Sequence, residues 1–161
     1  MTINALKQGI TLLTHAGYRF RIVRTHDEDA GFPWENSDCH GVITAATRDN
    51  RANLPFNWYY DWERSYVKAA EVWGIPMLDA PIVVRQDYDR IKAWLDSDWH
   101  YQIVQVTLED ASGNLTALSE SMCGVESDDP AEALIREMIQ EILGHPAIDH
   151  KSGVLVTKLR S

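Results

Sequence analysis

Two runs of β-forming residues, Tyr101–Leu108 and Leu115–Cys123, flank the turn Ala111-Ser112-Gly113-Asn114. Gly and Asn tolerate the backbone angles of a tight turn, so the whole stretch reads as an antiparallel hairpin. Any fold for this chain must therefore contain an antiparallel sheet and something to cover it. A second alternation comes earlier. Within Tyr18–Arg24, Tyr18, Phe20 and Ile22 face one way and Arg19, Arg21 and Val23 the other, the pattern of a half-buried strand. Val42–Thr47 reads as a further strand and Trp58–Tyr60 as a short one.

Helical spacing fills much of the rest. Ile3, Leu6, Ile10 and Leu13 recur at helical intervals, so residues 3–14 are expected to form a helix stopped by Gly17. Asp61 is placed to cap a helix running to Trp73, with Trp62, Tyr66, Ala69 and Trp73 on one face and Gly74 and Pro76 beyond its end. Asp87 is read as the cap of another, with Tyr88, Ile91, Trp94 and Leu95 inward. Asp129, Pro130 and Glu132 form a capping signature for the last helix, whose apolar stripe is Leu134, Ile135, Met138, Ile139 and Ile142. The expected order is α-β-β-α-α-β-β-α. It implies an α+β fold, an antiparallel sheet of two strand pairs with helices packed on one face. Residues 1–144 are expected to form a single domain, and 145–161 a tail holding a short edge strand at Val154–Leu159 or disordered.

The 161 residues fit one domain, and 45% of them are hydrophobic, enough for a core. Met1–Thr14 carries one Lys and neither a long apolar run nor a small-residue cleavage site, and no stretch is long and apolar enough to span a membrane. A cytoplasmic location is the expectation. The two cysteines, Cys39 and Cys123, make no disulfide framework and are expected to be reduced there.

The net charge of −9 is unevenly spread. Residues 109–141 hold nine acids against Arg136 alone. Such a surface repels nucleic acid and attracts a basic partner. Its candidate contact residues are Glu120, Glu126, Asp128, Asp129, Glu137 and Glu141. Trp34, in a loop, is the candidate aromatic anchor, since tryptophan is enriched at binding hot spots. Arg19, Arg21 and Arg24 line a strand, but in so acidic a chain they are read as partners of acidic groups within the protein.

The segment 26–41, HDEDAGFPWENSDCHG, is the most unusual stretch, and Gly31, Pro33 and Gly41 argue against a regular element there. His26, Asp29, Asp38 and His40 are chemically suited to a divalent metal, with Glu28 or Glu35 as general base of a metal-dependent hydrolase. Their spacing matches neither H-E-x-x-H nor a calcium-binding loop. No other cofactor is implied: phosphate-cradling glycine loops and the nucleophile-elbow pattern are both missing.

The run Tyr18-Arg19-Phe20-Arg21-Ile22-Val23 followed by this segment resembles a set of small acidic proteins of tailed bacteriophages and prophages. Their shared pattern is a strand, then D-E-D-A-G-x-P-W-E, then D-x-H-G. Looser echoes follow at Tyr59-Tyr60-Asp61, Trp73-Gly74, Trp94–Trp99, Ile103–Leu108 and Gly124–Ser127. The likeness covers about residues 18–143, with Cys39 standing where the pattern has Gly. The family carries no assigned activity, so it implies a setting and no residue roles. That setting is an infected bacterium, where a small acidic protein is expected to bind and inhibit or redirect a host protein with a basic surface. A defence or nucleic-acid-handling complex fits, engaged in an anti-CRISPR-like or DNA-mimic mode. A small virion or assembly component is the other role this setting implies.

Overall fold

The computed structural model describes residues 9–36, 40–149 and 154–155. The fold is α+β with antiparallel sheets. The chain divides into two compact units, Met1–Asp27 with Tyr101–Ser161, and Glu28–His100. Among the described residues no helix is long and apolar enough to cross a membrane.

The first unit is built on a four-stranded sheet. Its strands are β1 (Gly9–His15), β2 (Tyr18–His26), β5 (Tyr101–Glu109) and β6 (Leu115–Glu126), in the spatial order β1-β2-β5-β6. The alternation read in Tyr18–Arg24 and the hairpin at 101–123 both appear here. Phe20 and Ile22 stand opposite Leu108 and Val106 in the ladder, and this face is buried. The helix α4 (Glu132–Gly144) covers it with Met138, Ile139, Ile142 and Leu143. Arg24 reaches the turn before α4 and donates to the carbonyls of Asp129 and Pro130. The short pair β7 (Ile148–Asp149) and β8 (Val154–Leu155) follows, so the edge strand expected at Val154–Leu159 is present for two residues. The rest of that expected strand lies outside the described residues.

The expected helix over 3–14 is corrected by β1, which occupies residues 9–15; residues 1–8 lie outside the described ones. Ala16 and Gly17 both take positive φ, at 50° and 82°, which makes a two-residue hairpin turn between β1 and β2. Gly17, read as a helix stop, is therefore half of a turn. Ile10 and Leu13 fit a helical stripe, but seven paired residues against β2 outweigh that weak local preference. Consequently the sheet is not two sequential pairs: β2 lies between β1 and β5. The last helix also starts later than its capping signature implies. Asp129 Oδ1 accepts from the Ala131 amide at 2.7 Å, and Ala131 turns left-handed, so the helix begins at Glu132.

The second unit contains the single turn α1 (Pro33–Asn36), the hairpin of β3 (Val42–Ala45) and β4 (Trp58–Asp61), and the helices α2 (Trp62–Glu71) and α3 (Ala80–Leu95). Asp61 caps α2 as expected, its Oδ1 accepting from the Arg64 amide at 3.0 Å. Asp87 does not cap a helix. The helix α3 begins seven residues earlier, with Pro81 in its first turn where a missing N–H costs nothing, and Asp87 lies in its middle. The core of this unit is Leu54, Tyr60, Ala69, Val84, Ile91 and Leu95 under a coat of aromatic rings.

Ile139 is fully enclosed between α4 and the sheet. Ile139→Ala is expected to cost about 2–5 kcal/mol, read as a lower denaturant midpoint with unchanged slope.

Candidate functional site

The most elaborate polar arrangement lies in the unit 28–100. Asp87 points inward from α3 on the stripe Ala80, Val84, Asp87, Ile91 and Leu95. A carboxylate there must be met by donors, and three arrive. The Gly41 amide donates to Oδ2 at 2.8 Å and the Tyr60 hydroxyl to the same oxygen at 2.6 Å. His40 Nδ1 lies 2.6 Å from Oδ1. The network extends further. Ser65 Oγ accepts from the Val42 amide and donates to the Asp61 carbonyl, and Lys68 Nζ donates to the His40 carbonyl.

Gly41 is required by this packing. A Cβ at that position would overlap the Tyr60 hydroxyl and stand 2.6 Å from Ser65 Oγ. Burial first, then the Asp87 carboxylate, push the Tyr60 phenol well above its ordinary pKa of 10.0. The chemistry is that of a saturated hub. One oxygen of Asp87 holds two neutral donors and the other orients an imidazole, while the Ser65 hydroxyl is used in both directions by backbone. The hub ties the start of β3 to the middle of α3.

His40 is the one proposed metal ligand in this hub, and its side chain is only 11% exposed. His26 ends β2, facing Gln102 across the ladder, and Asp29 is exposed. Asp38 lies outside the described residues. Among the described residues no group of three or more His, Cys, Asp or Glu side chains is placed to hold a metal ion. Trp34 is half-buried. It stacks on Phe32 at 4.9 Å and meets Trp58 and Trp94 edge-on at 5.1 and 5.8 Å.

The acids named from sequence all fall in the other unit. Glu120 is exposed on β6, opposite Val106, and so belongs to the helix-bearing side of the sheet. Glu126 ends the same strand, and Asp128 and Asp129 form the turn into α4. Glu132, Glu137 and Glu141 are exposed on α4, whose opposite side carries the buried residues. Among the described residues no cation stands within ion-pair distance of Glu120, Glu132, Glu137 or Glu141. Arg19 and Arg21 are committed elsewhere, both to Glu109 of β5, whose side chain is fully buried. Arg21 hydrogen-bonds Oε1; Arg19 reaches Oε2 at 2.9 Å without hydrogen-bond alignment, so that contact is ionic.

Asp87, Tyr60, Gly41 and Glu109 were not singled out as site residues by sequence reasoning. One signal was present: an Asp set on an otherwise apolar stripe at 80, 84, 87, 91 and 95. A scan against protein-family models and searches of characterised proteins and of solved structures find no match to this chain.

Asp87→Ala would strand the Gly41 amide and release His40 and Tyr60. It is expected to destabilise this unit by about 3–5 kcal/mol. Tryptophan fluorescence reads the loss, because all six tryptophans lie between Trp34 and Trp99. A second expectation concerns pH. The raised Tyr60 pKa means the unfolded chain releases this proton first. The associated stability is complete below about pH 10 and declines as pH rises above it. Denaturant titrations on either side of that pH should show the decline, and Tyr60→Phe should remove this part of the slope.

Proposed function

We propose that this chain is a phage-encoded binding protein that engages a basic surface of a bacterial host protein through the acids of residues 120–141. The observation that carries the reading is the contrast between its two kinds of charge. Asp87 and Glu109 are buried and matched by donors or arginines. Glu120, Glu132, Glu137 and Glu141 are exposed and make no ion pair among the described residues. Glu137 and Glu141 stand one turn apart on α4, a like-charge pair that costs a few tenths of a kcal/mol, roughly. A cost borne for no internal benefit fits a surface kept for a partner. The phage resemblance supplies the setting, in which a defence or nucleic-acid-handling complex presents the required basic groove.

Affinity capture of the chain from bacterial lysate at low and high salt tests this. The expected result is one stoichiometric host protein, held at low salt and released at high salt, because exposed charges are screened. The variant with Glu120, Glu137 and Glu141 all changed to Gln should lose that partner. Equal capture by the variant would contradict the proposal.

A further inference from the structure

The two edges of the four-stranded sheet are treated differently. At one edge, β6 is interrupted by register shifts against β5 and carries Glu120 and Glu126. Bulges and charges are the usual devices that keep an edge strand from pairing with another chain. At the other edge, β1 has neither. Its register with β2 runs unbroken from Gly9 to His15, and its sequence GITLLTH holds no Asp, Glu, Lys, Arg or Pro. Ile10 and Leu12 are each 58% exposed and Leu13 is 39% exposed.

The hairpin turn fixes which main-chain groups of β1 point outward. A two-residue turn at Ala16-Gly17 makes His15 and Tyr18 a hydrogen-bonded pair, so the pairs at Leu13, Thr11 and Gly9 are hydrogen-bonded too. The amides and carbonyls of Thr14, Leu12 and Ile10 are the ones turned away from β2. Their side chains share the sheet face opposite α4, since Leu12 faces Arg21 and Ile10 faces Val23 across the ladder.

We infer that β1 pairs with β1 of a second copy of this chain, antiparallel about a two-fold axis through Leu12. That register sets Leu12 against Leu12 and Ile10 against Thr14 on one face, and Leu13 against Thr11 on the other. It joins the outward groups of three residues from each copy in about six main-chain hydrogen bonds and extends the sheet to twice its width. The chemistry of the seam selects a second copy: β1 carries no charge, so a charged partner strand finds no opposite charge there, whereas a like strand meets it Leu to Leu and Ile to Thr. Two molecules of net charge −9 repel unless they meet where charge is low. The seam is uncharged, Arg19 and Arg21 beside it are bound to Glu109, and its Ile10, Leu12 and Thr14 face lies on the side of the sheet opposite α4. The blunted β6 edges then close the assembly at two copies.

Sedimentation of the full chain at micromolar concentration tests the inference, together with amide hydrogen exchange. The expected species is a dimer in which the Ile10, Leu12 and Thr14 amides are protected, with protection lost on dilution. Leu12→Lys sets two ammonium groups against each other at the axis, and Leu12→Pro removes an outward N–H that the β1–β2 ladder does not use. Each should raise the dimer dissociation constant at least about tenfold while circular dichroism stays unchanged; should one variant misfold, the other is decisive. A native chain that sediments as a monomer overturns the inference, including one whose three amides are protected at every concentration by some other segment. So does a dimer that both variants leave intact.

Discussion

A carboxylate taken out of water has to be matched donor by donor, and Asp87 shows what that demands of the unit around it. The two oxygens need a backbone amide, a phenol and an imidazole within hydrogen-bond distance. The amide can approach only because residue 41 lacks a side chain. The phenol arrives from β4 and the imidazole from the start of β3, so the position of α3 fixes the hairpin. The aromatic rings of Trp58, Trp62 and Tyr88 then pack around a frame already set by polar contacts. A hub of this kind favours one arrangement strongly, because any misplacement leaves a buried group unpaired.

The other unit solves the same problem with fewer parts. Glu109 is buried on the face of the sheet away from α4, and two neighbouring arginines on β2 lie over it. The apolar face is left to α4 and its four buried residues. Among the described residues of this unit, Arg19 and Arg21 are engaged by Glu109 and Arg24 by backbone carbonyls at the entrance to α4. Glu120, Glu132, Glu137 and Glu141 stay exposed, with Arg136 the exposed cation on α4. The same ordering of charge leaves exposed acids on α4 and an uncharged strand, β1, at one edge.

Much of this was legible in the residues. The hairpin at 101–123 followed from its turn and its β-forming runs, and the start of α2 from Asp61 ahead of an amphipathic stretch. Local chemistry is strong at such points. It misled where a competing contact was distant in sequence. Ile10 and Leu13 fit a helical stripe as well as a strand, and only pairing with β2 decides between them. Asp87 preceded an apolar pattern and so looked like a cap; its true partners are 27 to 47 residues away. Asp129 was correctly placed near a helix start, yet its side chain closes a turn with Ala131 instead. Glu120, Glu137 and Glu141 could be named from sequence, but their exposure and their lack of an ion-pair partner among the described residues could not.

The division between buried, matched charges and exposed, unmatched ones is tested most directly by thermal unfolding of the Glu120→Gln, Glu137→Gln, Glu141→Gln variant beside the parent chain at low salt. If these carboxylates serve a partner and not the fold, the melting temperature stays the same or rises slightly as the repulsion between residues 137 and 141 is relieved. A fall of more than about 3 °C, roughly what 1 kcal/mol produces in a domain of this size, would show that the acids hold the structure together and would contradict that division.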